Sequence, residues 1–260
     1  MTAFVLVPAG KVAHGKLQQT LAYGARTIAV RGDFDACLAL LRDAAPRLGV
    51  YLLNSVNPYR IEGQKSIVFE LLEQLDWKAP DWIALPAGNL GNTGAFGKAL
   101  DEVHRLGLID RLPRVLAVQA AGAAPFYESF KAGFDAPRTA RAETVATAIR
   151  IGNPASYERG VRTIRLTNGA VASVPDAEIL EAQRSIGAAG VGCEPASAAS
   201  VAGVRQAIAS GLIGRDESVV AVLTGHLLKD PGSEEQEVQQ PVEIDASLSA
   251  LERELRGQVS

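Results

Sequence analysis

Three groups of residues in this chain have types and spacings suited to holding an anion. The first is Leu85-Pro86-Ala87-Gly88-Asn89-Leu90-Gly91-Asn92-Thr93-Gly94. Glycine lets backbone N–H groups approach an anion closely, and a following helix N-terminus adds a favourable dipole. Gly88, Asn89, Leu90, Gly91 and Asn92 therefore form a candidate phosphate cradle. On the loop alone, a tight strand-to-helix turn with glycines at helix–sheet contacts explains the same residues equally well. The second group is Asn54, Ser55 and Arg60, whose amide, hydroxyl and guanidinium donors suit a phosphate or carboxylate. Without context, a polar loop satisfying its own backbone, with Arg60 in a surface ion pair, explains that group better. The third is Thr224, directly after the apolar run Val219-Val220-Ala221-Val222-Leu223.

Other chemistries are excluded by spacing. The glycines at 88, 91, 94 and 97 do not fit the dinucleotide fingerprint G-x-G-x-x-G. Gly97-Lys98 is followed by Ala99, and Asn92 stands where a P-loop needs its first glycine. His14, His104 and His226 have no metal-ligand spacing and no serine in a nucleophile-elbow context. Cys193, among small residues, reads as a buried structural thiol, and with Cys37 it makes no disulfide framework.

The elements that must position these groups alternate strand and helix. Phe4–Val7, Thr27–Val30 and Val50–Leu53 are apolar runs with the length and bounds of buried strands. Helical patterns separate them, about Gly15 to Tyr23 and Phe34 to Ala45, with Asp33 placed to cap the second. A helix over about Glu62 to Leu75 follows, then strand Trp82–Leu85, the glycine loop and a helix to about Leu106. Further strands are expected at Arg114–Gln119 and Val219–Leu223. Helices are expected around Glu143–Ile151, after Ser173-Val174-Pro175-Asp176 with its capping-box spacing, over Ser197–Ser210 and, weakly, over Ala246–Leu255. Repeated βα steps mean an α/β fold with a parallel sheet and right-handed crossovers. In such sheets ligands sit outside the carboxyl ends of strands, where all three groups fall.

Composition bounds the function. Apolar residues are 47% and charged residues 21% of 260, ordinary for a globular enzyme. A formal charge of −3 gives no electrostatic reason to expect a nucleic-acid or anionic-membrane partner. No apolar run approaches the roughly 18–20 residues of a membrane span, and the start lacks a signal-peptide pattern. A cytoplasmic protein is the expectation.

Taken together and in order, several runs resemble threonine synthase, a pyridoxal-phosphate enzyme family of the tryptophan-synthase-β-like fold (fold type II). They are Pro8-Ala9-Gly10-Lys11, Asn54-Ser55-Val56-Asn57-Pro58-Tyr59-Arg60, Gly63-Gln64-Lys65, Pro86 to Asn92, Ala146 to Pro154, Glu194 to Ala199 and Thr224-Gly225-His226. The resemblance implies a three-layer parallel-sheet fold, with residues 1–53 the remainder of a small domain and 54–260 most of a large cofactor-binding domain with a tail. It implies pyridoxal 5′-phosphate as cofactor, its phosphate held by Gly88, Asn89, Leu90, Gly91 and Asn92 and its ring nitrogen faced by Thr224. Asn54, Ser55 and Arg60 would hold the phosphate of O-phospho-L-homoserine, which the family converts with water to L-threonine and phosphate. A homodimer is implied for a complete chain.

Two departures qualify the resemblance. The family's Schiff-base lysine lies in an S-F-K-D-type motif, followed by an S-T-G-N-type segment, both upstream of the region equivalent to Phe4. Neither occurs in these 260 residues, and Lys11, Lys16, Lys65, Lys98 and Lys229 lie in other contexts. The expectation is an N-terminally truncated fold that is inactive as this chain alone, the alternatives being a non-catalytic remnant or a related threonine/serine dehydratase. The second departure is Leu227, where the family has glycine; leucine would be strained there if φ is positive.

Overall fold

Backbone polar groups of extended runs must be paired, and here two parallel sheets pair them. The runs at Phe4–Val7, Thr27–Val30 and Val219–Leu223, expected to be buried, are only half-buried, with Phe4 and Ile28 exposed. The computed structural model describes residues 2–9, 14–54, 57–229 and 242–249. A two-stranded sheet joins β1 (Phe4–Pro8) to β2 (Arg26–Val30). Helix α1 (His14–Ala22) connects them, and α2 (Phe34–Leu48) follows and packs on β1. The expected cap is present, Ala36 N–H donating to Asp33 Oδ1 at 2.8 Å. Gly49 ends α2 in the left-handed region at φ 62°.

The second sheet has the order β5-β4-β3-β6, all parallel. Its strands are β3 (Trp82–Pro86), β4 (Arg114–Ala120), β5 (Ala170–Val174) and β6 (Val219–Ala221). Period-two alternation divides β3 between two cores. Trp82 and Ala84 face α8 (Asp176–Ala188) and α9 (Pro195–Ala209), while Ile83 and Leu85 face α4 (Ser66–Gln74), α5 (Gly91–Arg105) and α7 (Tyr157–Leu166). Small residues let α9 lie close on the sheet, and a β-carbon on Gly203 would sit 2.4 Å from Val118 Cγ2.

Strand order makes the site. From β3 the chain moves outward through β4 to β5, then returns to the opposite side of β3 as β6. The β3/β6 boundary is therefore a topological switch point, where the loops leaving two neighbouring strands part and open a crevice. Val222 N–H donates to Ala84 O at 2.8 Å and prolongs this pairing to the edge of the crevice.

Several expectations are corrected. Val50–Leu53 is not a strand; Tyr51 and Leu53 are exposed, and no described strand pairs with the run. The helix expected at Glu143–Ile151 is an irregular segment with one 3-10 turn, Thr147–Ile149. The single helix over Glu62–Leu75 is two, α3 (Pro58–Gln64) and α4, broken at Lys65. The structure adds β5, α6 (Pro125–Lys131) and α7. Leu227 has no positive φ; it opens a 3-10 turn beside Gly192. Most of the helix expected at Ala246–Leu255 lies outside the described residues. Among the described residues no helix is long and apolar enough to cross a membrane.

Candidate functional site

Strand β3 delivers the glycine loop to the switch point because all five of its residues are buried. The chain then turns through Leu90, which takes the left-handed conformation (φ 61°, ψ 17°) at the N-cap of α5. The first helical bond runs from Gly94 N–H to Leu90 O at 2.9 Å. The amides of Gly91, Asn92 and Thr93 thus belong to the open first turn, where the helix dipole is positive. Gly88 has no space for a side chain: a β-carbon would stand 3.0 Å from Ile149 Cα and 3.1 Å from Ala148 O. Asn89 fixes the loop from behind, its Oδ1 accepting from Ala155 N–H at 3.0 Å and its carbonyl from Ser156 N–H at 3.1 Å.

All five loop residues line a cavity of about 860 Å³, together with Thr224 from the end of β6 and Arg60 from α3. Thr224 is held by its neighbours: its Oγ1 lies 3.0 Å from Ser197 Oγ, and Gly225 N–H donates to the same Ser197 Oγ at 2.7 Å. A β-carbon on Gly225 would lie 2.4 Å from the Glu194 carboxyl, so that side chain would have to move to admit one. Asn54 is not among the lining residues; its Oδ1 is buried and has no partner among the described residues. Ser55 lies outside the described residues.

The cavity also gathers residues that sequence reasoning did not single out for the site. Arg141 and Arg150 join Arg60 on its wall, and Asp33 and Asp35 reach it from the first turn of α2. Burial, with a smaller push from Asp33, holds the Asp35 carboxyl above its ordinary range, against hydrogen bonds from the backbone amides of Asn153 and Gly152. Asp35 thus ties the small sheet's helix to the Gly152 loop. The Asp-Phe-Asp sequence was legible as a cap, but nothing in it signalled a second carboxylate facing a loop more than a hundred residues away.

Other candidates fall away from the site. Burial, then Asp33, pushes the Cys37 thiol up, which disfavours the thiolate nucleophile. Cys193 is buried, as expected. Lys65 Nζ is 2.6 Å from both Glu62 and Glu102, and Lys98 pairs with Glu62, so these lysines knit α3 to α5. No lysine lines the cavity among the described residues, and none of these residues form a group able to hold a metal ion.

A glycine cradle at a helix N-terminus, a hydroxyl across a switch point and a cavity between two parallel α/β units fit a phosphate-bearing cofactor with a polar ring atom. Residues 1–225 match the family model described as pyridoxal-phosphate dependent enzyme, and the chain belongs to that family. Relatives in sequence include threonine synthases. That of Methanosarcina acetivorans is 48% identical over 255 residues, covering 97% of this chain and 63% of that protein. That of Synechocystis is 47% identical over 232 residues, covering 89% of this chain and 58% of that protein. The chain thus spans roughly three fifths of the length of these relatives. The crystal structure of Escherichia coli threonine synthase superposes with a TM-score of 0.75 at 22% identity, covering 99% of this chain and 64% of that one. At that identity the likeness shows the fold, which is fold type II as the sequence implied.

Proposed function

We propose that this chain carries the cofactor-phosphate cradle and the substrate-phosphate pocket of a threonine synthase, acting on O-phospho-L-homoserine and water to give L-threonine and phosphate. The observation that carries the reading is that one switch-point cavity is lined by the Gly88–Asn92 loop, Thr224 and Arg60 together. Open amides at the α5 N-terminus suit the phosphate of pyridoxal 5′-phosphate, and the Thr224 hydroxyl suits its ring nitrogen. When bound, the cofactor supplies an electron sink for carbon-acid chemistry at the amino-acid substrate. Arg60 binds the substrate phosphate in fork geometry, with Asn54 and Ser55 assigned to the same phosphate on their motif.

Cofactor and lysine part company here. The cradle, Thr224 and the cavity fit the non-covalent end of the cofactor, whereas no described lining residue supplies the lysine amine. We assign that amine to polypeptide other than these 260 residues, so that the chain alone binds the cofactor without turnover. A cytoplasmic location and, in the completed enzyme, a homodimer belong to the same proposal. The test is incubation of the purified chain with pyridoxal phosphate and borohydride, followed by mass spectrometry and a phosphate-release assay. Cofactor binding without a reduced lysine adduct or phosphate release is expected; an adduct accompanied by phosphate release overturns the assignment of the lysine.

A further inference from the structure

We infer that Ser197 is a positioning residue that sets the direction of the Thr224 hydroxyl proton, aiming it into the cavity. The inference rests on the cofactor reading above and deepens it. Ser197 is fully buried in the first turn of α9 and does not line the cavity. Its hydroxyl has one proton to donate and two lone pairs. One lone pair is taken by Gly225 N–H at 2.7 Å. The proton has two acceptors in reach, Thr224 Oγ1 at 3.0 Å and Gly225 O at 3.3 Å.

Distance and satisfaction decide between them. O–H···O hydrogen bonds are strongest at about 2.5–3.0 Å, so Thr224 is the better-placed acceptor and the Gly225 carbonyl the weaker one. That carbonyl already accepts Glu194 N–H at 3.0 Å. If Thr224 donated to Ser197 instead, the buried Ser197 proton would be left with the long contact, and a poorly satisfied buried donor is unfavourable. Ser197 therefore donates to Thr224. Thr224, accepting from behind, directs its own proton forward and presents a donor to whatever faces it. A pyridine nitrogen opposite such a donor is favoured in its unprotonated form.

The arrangement is rigid. Glu194 N–H holds the Gly225 carbonyl, Ser200 Oγ bridges Ser197 O and Val222 O at 2.7 and 3.2 Å, and Gly225 packs closely against the Glu194 side chain. The ionisable neighbours of Thr224 are Glu194 across the turn and His226, whose Nδ1 accepts from Leu228 N–H at 3.2 Å. Across the cavity stand the carboxylates Asp33, Asp35 and Glu143 and the guanidinium groups of Arg60, Arg141 and Arg150. All of these are common to the variants compared below, so differences between variants report the hydroxyl pair.

The test uses 4′-deoxypyridoxine 5′-phosphate labelled with ¹⁵N in the ring, which has no aldehyde and so needs no lysine. Its ring-nitrogen protonation is followed by NMR against pH in complex with the 260-residue chain. The expected midpoint lies below that of the free probe. Ser197→Ala raises it by at least about one unit, a tenfold gain in proton affinity. In a Thr224→Val background Ser197→Ala produces no further shift. Should the alanine variant not fold, Ser197→Cys keeps the volume while weakening the donor, and it carries the same expectation. An unchanged midpoint in the Ser197 variant with the probe still bound overturns the inference, as does a Ser197 effect that persists without the Thr224 hydroxyl. Failure of the unsubstituted chain to bind the probe overturns the underlying cofactor reading instead.

Discussion

Gly88 meets the backbone of Ile149 so closely that a β-carbon on Gly88 would lie 3.0 Å from Ile149 Cα. The obstruction is main chain, which cannot rotate away as a side-chain tip can. Gly88→Ala is therefore expected to lower stability by about 1–3 kcal/mol, the range for overpacking a close-packed site. It also moves the loop amides, so that affinity for pyridoxal phosphate falls about tenfold or more. Urea unfolding and a cofactor absorbance titration measure the two effects, and an alanine variant with unchanged affinity would remove the loop from the phosphate site.

The two strands flanking the switch point are pinned at their opposite ends by Asp81. Its Oδ2 accepts from both Ser218 N–H and Ser218 Oγ at 2.7 Å, while Arg111 lies 2.9 Å from Oδ1. The Ser218 hydrogen bonds, more than Arg111, hold the Asp81 carboxyl below its ordinary value of 3.8. A carboxyl with a depressed folded pKa contributes stability above its unfolded value, and loses it as pH falls through the depressed one. Asp81→Asn should cost about 1 kcal/mol at neutral pH, the site being partly exposed. The difference from the parent should vanish in strong acid. A pH-independent difference in urea midpoints would mean that the ionised carboxylate is not what pins the strands.

Strands β3 and β4, the glycine loop and the Asp33 cap were legible because each is a local signal: an apolar run, a glycine spacing, a capping oxygen. Strand β5 was not, since Ser173 and Pro175 also read as a helix start and the run before them is short. Its entry depends on Asn168 adopting φ 46° at the turn. Helix α7 was hidden by its arginines, although Tyr157, Val161 and Ile164 recur at helical spacing. Val50–Leu53 has strand composition but no partner strand among the described residues, and a strand exists only through its partner. The same holds at the site. Gly88, Arg60 and Thr224 could be named from motifs, whereas Ser197 beneath Thr224 and Asp35 beside Gly152 depend on packing between distant segments. In sequence they look like an ordinary helix serine and an ordinary surface aspartate.

Asp35 joins the α2 helix to the Gly152 loop through a carboxyl whose pKa burial raises above 3.8. The folded chain therefore binds this proton more tightly than the unfolded chain, and stability contributed here rises as pH falls from the raised value towards 3.8. Asp35→Asn removes that increment. The parent's stability relative to the variant should thus improve between neutral pH and about pH 4. Paired urea titrations across that interval measure it, and a flat or declining difference would contradict the assignment.

Arg60 lies in α3, on the cavity wall but on a different element from the glycine cradle. If the chain holds two phosphates at once, the two contacts should separate by mutation. Arg60→Lys keeps the positive charge but loses the planar fork, so affinity for O-phospho-L-homoserine is expected to fall about tenfold, and further in Arg60→Ala. Cofactor affinity should stay within about twofold in both, because the loop amides are untouched. Raising ionic strength should weaken substrate binding in the parent more than in the alanine variant, since only the parent has that guanidinium to screen. Phosphorus NMR distinguishes the two ligands in one sample of cofactor-saturated chain. Equal loss of both affinities in Arg60→Ala would show that Arg60 and the Gly88 loop serve one phosphate, and the separate substrate pocket would have to be abandoned.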